Sequence, residues 1–239
     1  MSQEENAKAL TGRVAIVTGA ARNIGRAIAV ALGRAGASVI VNAKNSGPEA
    51  EATAQIIRDS GSQAHVHMAD VTDPAAVDAL IAATAQHFGQ IDILINNAAV
   101  RPEAAFADLG FSQWREVLAV ILDAAYLCTH AALPYLQKST AGAIVNIGGM
   151  TAHTGAVGRA HVVAAKAGLV GLTRALAQDL GQNGITANCV VPGLIDTIRA
   201  AAAGSAPAHH AVHQTLIGRR GTPDEVAALV CFLCGPDAR

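Results

Sequence analysis

The residues with the clearest chemical purpose are Thr18-Gly19-Ala20-Ala21-Arg22-Asn23-Ile24-Gly25, whose types and spacing suit the cradling of a phosphate. They follow the apolar run Val14–Val17 and precede a helical run, Ala27–Leu32. A strand, a tight turn and a helix in that order aim backbone N–H groups and a helix N-terminus at one point, which favours an anion. Gly19 leaves the turn bare, so a pyrophosphate can approach the backbone, and Gly25 lets the helix close on the strand. Arg22, Asn23 and Ile24 complete the turn. Asparagine is the non-glycine residue that best tolerates positive φ, so Asn23 can keep the turn's shape.

A second strand, Ser38–Asn42, follows Gly36, a fitting helix C-cap. In dinucleotide folds an acid at the end of this strand holds the ribose 2′-hydroxyl of NAD, whereas basic residues accept the 2′-phosphate of NADP. Here the chain reads Asn42-Ala43-Lys44-Asn45-Ser46, with no acid. Lys44 and Arg22 therefore point to NADP rather than NAD.

Other reactive side chains give weaker patterns. His65 and His67 share one face of a strand, as a metal pair would, but no third ligand stands nearby. His209, His210 and His213 lie in an alanine-rich stretch that reads as solvated. Cys231 and Cys234 have the spacing Cys-x-x-Cys without a second pair, on a helix. No metal site is expected. His161 and His153 are candidate acids or bases by residue type. Arg101 follows the fourth strand, at the sheet edge where ligands bind, and is read either as the holder of an anionic substrate or as surface charge.

These groups need a scaffold, and the chain supplies alternating strands and helices. Further strands are expected at Ala64–Met68, Ile91–Ala98, Ala143–Gly149 and Gly184–Val191. Helices are expected at Glu49–Ser60, from Pro74, along Trp114–Leu136, at Ala160–Asp179 and from Pro223. Asp73-Pro74 and Thr222-Pro223 are cap and first-turn pairs. The expected fold is one doubly wound α/β domain spanning 1–239, with a parallel sheet in the order 3-2-1-4-5-6 and a mobile substrate lid around 194–215.

Composition agrees. With 239 residues, 51% of them hydrophobic and only 3% aromatic, the chain can bury a large core of small aliphatic side chains. A net charge of −1 argues against nucleic acid or an anionic membrane as partner. No unbroken apolar run reaches the ~18 residues of a membrane span. The opening Met1-Ser2-Gln3-Glu4-Glu5-Asn6 has no apolar signal core, so the expected location is the cytoplasm.

Three motifs together resemble the short-chain dehydrogenase/reductase family: the glycine turn, Asn96-Asn97-Ala98-Ala99, and Pro192-Gly193-x-x-x-Thr197. The resemblance covers nearly the whole chain and is similar in kind to 3-oxoacyl-(acyl-carrier-protein) reductases. It implies that Asp70 and Val71 hold the adenine, and that Asn97 and Ala98 line its ribose. It further implies that Pro192, Gly193, Ile195 and Thr197 meet the nicotinamide amide and the phosphates, and that Lys166 holds the nicotinamide ribose. A homodimer or homotetramer built on the helices at 114–136 and 160–179 is implied, as is a seventh strand with a glycine-rich tail.

The chain departs from the family where the family does its chemistry. The resemblance places a relay Asn at Ile121, a carbonyl-anchoring Ser at Gly149 and a proton-donating Tyr at Val162; only Lys166 is retained. Between Ile147 and Lys166 the only hydroxyl side chains are Thr151 and Thr154, so no shift of alignment restores Ser or Tyr. Tyr126 and Tyr135 lie on the preceding helix and read as core or interface residues. Two function classes follow. One is a divergent oxidoreductase acting on a small carbonyl or hydroxyl compound, with Lys166 and His161 moving the proton. The other is a nucleotide-binding homologue without turnover, acting as a sensor or partner subunit.

Overall fold

The computed structural model describes residues 9–198 and 215–239. Six parallel strands form one sheet in the order β3-β2-β1-β4-β5-β6: β1 Val14–Val17, β2 Ser38–Ala43, β3 Ala64–Met68, β4 Ile93–Asn96, β5 Ala143–Ile147 and β6 Thr186–Val190. The expected order is the observed one. β1 pairs with β2 on one side (Ile16 opposite Ile40) and with β4 on the other (Ile16 opposite Leu94). The chain thus reverses its direction of winding beside β1, and a crevice opens there at the carboxyl ends of the strands.

The central strands β1, β4 and β5 are buried along their whole length because both sheet faces are covered. One face packs against α1 (Asn23–Arg34), α2 (Gly47–Asp59) and α7 (Pro223–Cys234), with Ile28, Leu32, Ile57 and Val230 buried among Val17, Val39 and Ile95. The other packs against α3 (Pro74–Phe88) and α5 (Ala124–Leu136), with Leu80, Cys128 and Leu136 against Ile16, Leu94 and Ile144. The caps read from sequence form: Asp73 accepts from the Ala75 N–H, and Thr222 and Glu225 make a reciprocal capping box.

The long helix expected at Trp114–Leu136 is interrupted. It runs as α4 (Phe111–Leu118), a π-helical turn (Ala119–Asp123) and α5. With α6 (Ala160–Leu180) it corrects the reading on apolar runs. The segments Phe111–Leu136 and Ala160–Asn183 are each long and apolar enough, by length and composition, to cross a membrane. Charged residues such as Arg115, Glu116 and Asp123 break the run in the first, which is why counting unbroken apolar residues missed it.

β3 is an edge strand, and its histidines follow from that. His65 is exposed and stacks on His87 of α3, ring centroids 4.9 Å apart, instead of joining His67 in a metal pair. Among the described residues no group of three or more His, Cys, Asp or Glu side chains is placed to hold a metal. His209, His210 and His213, with most of the expected lid, lie outside the described residues.

Candidate functional site

The turn after β1 is locked from beneath. Thr18 Oγ1 accepts from the Asn97 and Ala98 N–H groups, both at 3.0 Å, and donates to the Ile95 carbonyl. Asn97 Nδ2 donates to the Thr18 and Gly19 carbonyls at 2.9 and 3.1 Å. Asn97 is thus a buttress of the turn as well as a neighbour of the crevice. Gly19 has φ of 62°, and a Cβ on Gly25 would fall 2.3 Å from the Gly19 oxygen and 2.5 Å from Asn97 Nδ2. No residue but glycine fits at position 25, where the Gly19 carbonyl and the Asn97 amide close directly on the first turn of α1.

Asn23 has φ of 52°, as its place in the turn demanded. Its side chain does something the sequence does not announce. The amide donates to the Ile198 carbonyl at 2.9 Å and accepts from the Ile198 N–H at 3.0 Å. This clasp brings the segment after β6, containing Pro192, Gly193, Ile195 and Thr197, alongside the turn. The same segment is held from its other side by Gly221, whose carbonyl accepts from the Asp196 N–H and whose N–H donates to the Leu194 carbonyl. Ile24 packs against the core, and Arg22 reaches across to Ser46 Oγ at 2.7 Å.

Beside the turn lies a cavity of about 490 Å³ lined by Gly19, Asn42, Lys44, Asp70, Val71 and Ala98, among others. Glu116, Ala119 and Val120 wall its far side. At its mouth Lys44 and Asp70 form an ion pair of 2.6 Å. Partial burial opposes the charge on Asp70, but the bonds from Lys44 and Thr72 outweigh it and hold the carboxyl below its usual range. The cavity wall continues through Ala99 and Val100.

Lys166 stands deeper, on α6. Its ammonium donates to the Ile147 carbonyl at the end of β5. Burial pushes its pKa down to about 8, and the charge of Arg101 acts in the same direction, against a weaker opposing effect of Cys189. A cation with so little compensation is poised to exchange a proton near neutral pH.

The residues around Lys166 differ in kind. Ile121, on the π-helical turn, and Val162, on α6, are each 3% exposed and belong to one apolar cluster with Val117, Ala125, Ala165 and Leu169. Gly149 has open space: a Cβ there would meet nothing within 4 Å. His161 is fully enclosed, and neither ring nitrogen finds a hydrogen-bond partner. Burial holds this imidazole below its usual pKa, and the charge of Arg159 acts in the same direction. The structure therefore gives His161 no opening to the crevice. Its position next to Val162 suggested one, but successive helical residues point ~100° apart. His153 is exposed on a single helical turn, Thr151–Thr154. Tyr126 is exposed and stacks on His130, while Tyr135 packs against the core.

One feature of the site has no sequence signal. Arg159, almost wholly buried, grips Glu103 at 2.6 Å, and the Ala104 N–H bonds the Gly158 carbonyl at 3.0 Å. The loop after β4 is thereby fastened to the loop that leads into α6. The partners are 56 residues apart, and nothing in their spacing predicts the pair.

Comparison with known proteins bears on this geometry. A protein-family model described as Enoyl-(Acyl carrier protein) reductase matches residues 19–239. The chain is 36% identical over 225 residues to a 3-oxoacyl-(acyl-carrier-protein) reductase of Synechocystis sp., covering 94% of this chain and 90% of the relative. It is 37% identical over 229 residues to the corresponding reductase of Pseudomonas aeruginosa, covering 96% and 92%. Among solved structures, a dehydrogenase/reductase from Sinorhizobium meliloti superposes with a TM-score of 0.91 at 33% identity, covering 99% of this chain and 93% of that one. A short chain dehydrogenase from Burkholderia cenocepacia, solved in complex with NADP, superposes with a TM-score of 0.89 at 37% identity, covering 96% and 93%.

Proposed function

Because the chain belongs to the short-chain dehydrogenase/reductase family of oxidoreductases, we propose that it binds NADP(H) in the crevice beside β1 and acts on a small carbonyl or hydroxyl compound with a non-standard set of catalytic residues. The observation that carries this reading is the glycine cradle at Gly19 and Gly25 opening beside a cavity whose mouth holds Lys44 and lacks an acid at the end of β2. In that cavity Asp70 and Val71 would flank the adenine, and Asn97 and Ala98 its ribose. The N–H groups of the turn at Arg22, Asn23 and Ile24 would face the pyrophosphate. Pro192, Gly193, Ile195 and Thr197 would close over the nicotinamide half. The NADP complex of the Burkholderia cenocepacia relative supports the choice of cofactor.

Lys44 is at present paired with Asp70, and Arg22 with Ser46. An ion pair this exposed is worth roughly 0–1 kcal/mol, so a 2′-phosphate can draw Lys44 away from it. NADPH is accordingly expected to bind roughly tenfold or more tightly than NADH, the range of one charge-assisted contact. Isothermal titration of both decides this; equal affinities, or tighter NADH, would remove the basis for the choice.

NADPH, when bound, would supply the hydride. The protein must then supply the proton, and Lys166 is the group we assign to it. Its ammonium lies at the end of β5 with a pKa lowered to about 8 and with open space over Gly149. His161 could share the role only if the first turn of α6 opened. A second reading, a nucleotide-binding homologue without turnover, is favoured by one observation. The positions at which the family carries its relay Asn and donor Tyr are filled by Ile121 and Val162, packed in the same apolar cluster.

We also propose a dimer or tetramer. The segments Phe111–Leu136 and Ala160–Asn183 are strongly apolar, yet only 39% and 33% of their most apolar windows is buried within the chain. Helices rich in Ala and Gly can pack closely against a second copy. Sedimentation at micromolar concentration should show the assembly, and a monomer would contradict it.

A further inference from the structure

Asn23 stands at a place in the turn where glycine would fit without strain. Among the described residues it is the only non-glycine residue with positive φ, at 52°. Glycine reaches that conformation freely, so the backbone gives no reason for an asparagine there and the side chain must. That side chain engages both main-chain groups of Ile198: Nδ2 donates to the carbonyl at 2.9 Å, and Oδ1 accepts from the N–H at 3.0 Å. Asp196 is fixed independently of this clasp. Its N–H donates to the Gly221 carbonyl at 2.8 Å, and the Gly221 N–H donates to the Leu194 carbonyl at 2.9 Å. A Cβ on Gly221 would fall 2.8 Å from Ile195 Cδ1, so the two strands of chain are in close contact there. Thr197, half-buried, is the one residue between the two fastenings. One flank is tied to the approach to α7 and the other to the first residue of α1, in the phosphate turn.

We infer that Asn23 is a positioning residue: through Ile198 it sets Thr197 against the nicotinamide half of the cofactor before the cofactor arrives. This rests on the proposal that NADP(H) occupies the crevice, and it adds the residue that couples the pyrophosphate turn to the nicotinamide-side segment. A segment held in its binding arrangement in advance raises the apparent affinity in proportion to how fully that arrangement is populated. The amide suits the task, because it both donates and accepts while carrying no charge. An aspartate could only accept from the Ile198 N–H, and it would bring a negative charge to the pyrophosphate.

The test titrates the full chain calorimetrically with NADPH and with adenosine 2′,5′-bisphosphate, which lacks the nicotinamide half. Wild type is compared with Asn23→Gly, Thr197→Val and the double variant. Asn23→Gly keeps the φ of the turn and removes the clasp. It should weaken NADPH roughly tenfold, the range of one or two net hydrogen bonds, and adenosine 2′,5′-bisphosphate less than about twofold. Thr197→Val should also weaken NADPH, and the double variant should lose clearly less than the two single losses combined, because both act through one contact. In the cofactor-free chain the Ile198 amide should exchange its hydrogen faster in Asn23→Gly than in wild type. Equal or tighter NADPH binding in Asn23→Gly would overturn the inference. So would equal losses for the two ligands, fully additive losses, or unchanged exchange at Ile198. Each of these overturns the role of Asn23 and leaves the cofactor reading standing, whereas failure of NADPH to bind wild type would overturn that reading and this role with it.

Discussion

The double variant Gly149→Ser, Val162→Tyr is expected to reduce a small neutral ketone with NADPH at least ~100-fold faster than the wild type, the lower range of what a positioned general acid contributes. The wild type should turn such ketones over negligibly. The ammonium of Lys166 stands at the end of β5 near the Cys189 thiol, and no serine or tyrosine between Ile147 and Lys166 can fix the carbonyl there. Serine at 149 enters free space, since a Cβ at that position touches nothing within 4 Å. Tyrosine at 162 must displace the edge of the apolar cluster around Ile121 and Leu169, and overpacking of that kind costs roughly 1–3 kcal/mol. The phenol then lies one helical turn from Lys166, whose charge lowers its pKa. Adding Ile121→Asn sets an amide in the same dry cluster and should lower stability by about 1–3 kcal/mol unless water follows it in. NADPH oxidation at 340 nm, alongside thermal melts, separates the effects. Robust wild-type turnover that His161→Ala abolishes would move the proton role to His161. Turnover untouched by both His161→Ala and Lys166→Met would place the active site elsewhere.

Lys166→Met should make the protein more stable at neutral pH, by roughly 2–3 kcal/mol, with the gain vanishing as the solution becomes alkaline. The folded chain holds this ammonium fully buried with one carbonyl partner, and its pKa falls from 10.5 to about 8. Between those values the unfolded chain binds the proton and the folded chain does not, so stability rises with pH across that window. Above 10.5 the amine is neutral in both states and costs nothing. Below about 8 the cost is complete, on the order of 3 kcal/mol from the size of the shift, offset in part by the hydrogen bond to Ile147. Other ionisable groups contribute to the pH dependence of both proteins, so the informative quantity is wild type minus variant, in which their contributions cancel. Urea melts of both proteins at pH 7, 8.5 and 10 measure it. A variant less stable than wild type at every pH would show that the ammonium is well compensated where it stands. The prediction also separates stability from function, because the residue retained at a cost in stability is the one assigned to catalysis.

Some of this was settled in the amino-acid order alone. Strands alternating with capped helices specify the parallel sheet and its strand order, because the central strands read as apolar runs and each connection is long enough to cross over. Gly19, Asn23 and Gly25 specify the turn, since only residues tolerant of positive φ or lacking a side chain fit it. It is equally plain that no serine or tyrosine stands between Ile147 and Lys166. Tertiary structure decided the rest, for a consistent reason. The environment of a side chain depends on elements distant in sequence, and local patterns carry no record of them. His161 is adjacent to Val162 in the chain, yet the fold encloses it completely, so adjacency misjudged its access. Lys44 reads as a free cation until the fold sets Asp70 against it, and Asn23 reads as a turn residue until Ile198 arrives at its side chain from 175 residues away. Ile121 and Val162 read as two separate losses; only packing shows them side by side in one apolar cluster, next to a lysine held at the end of β5.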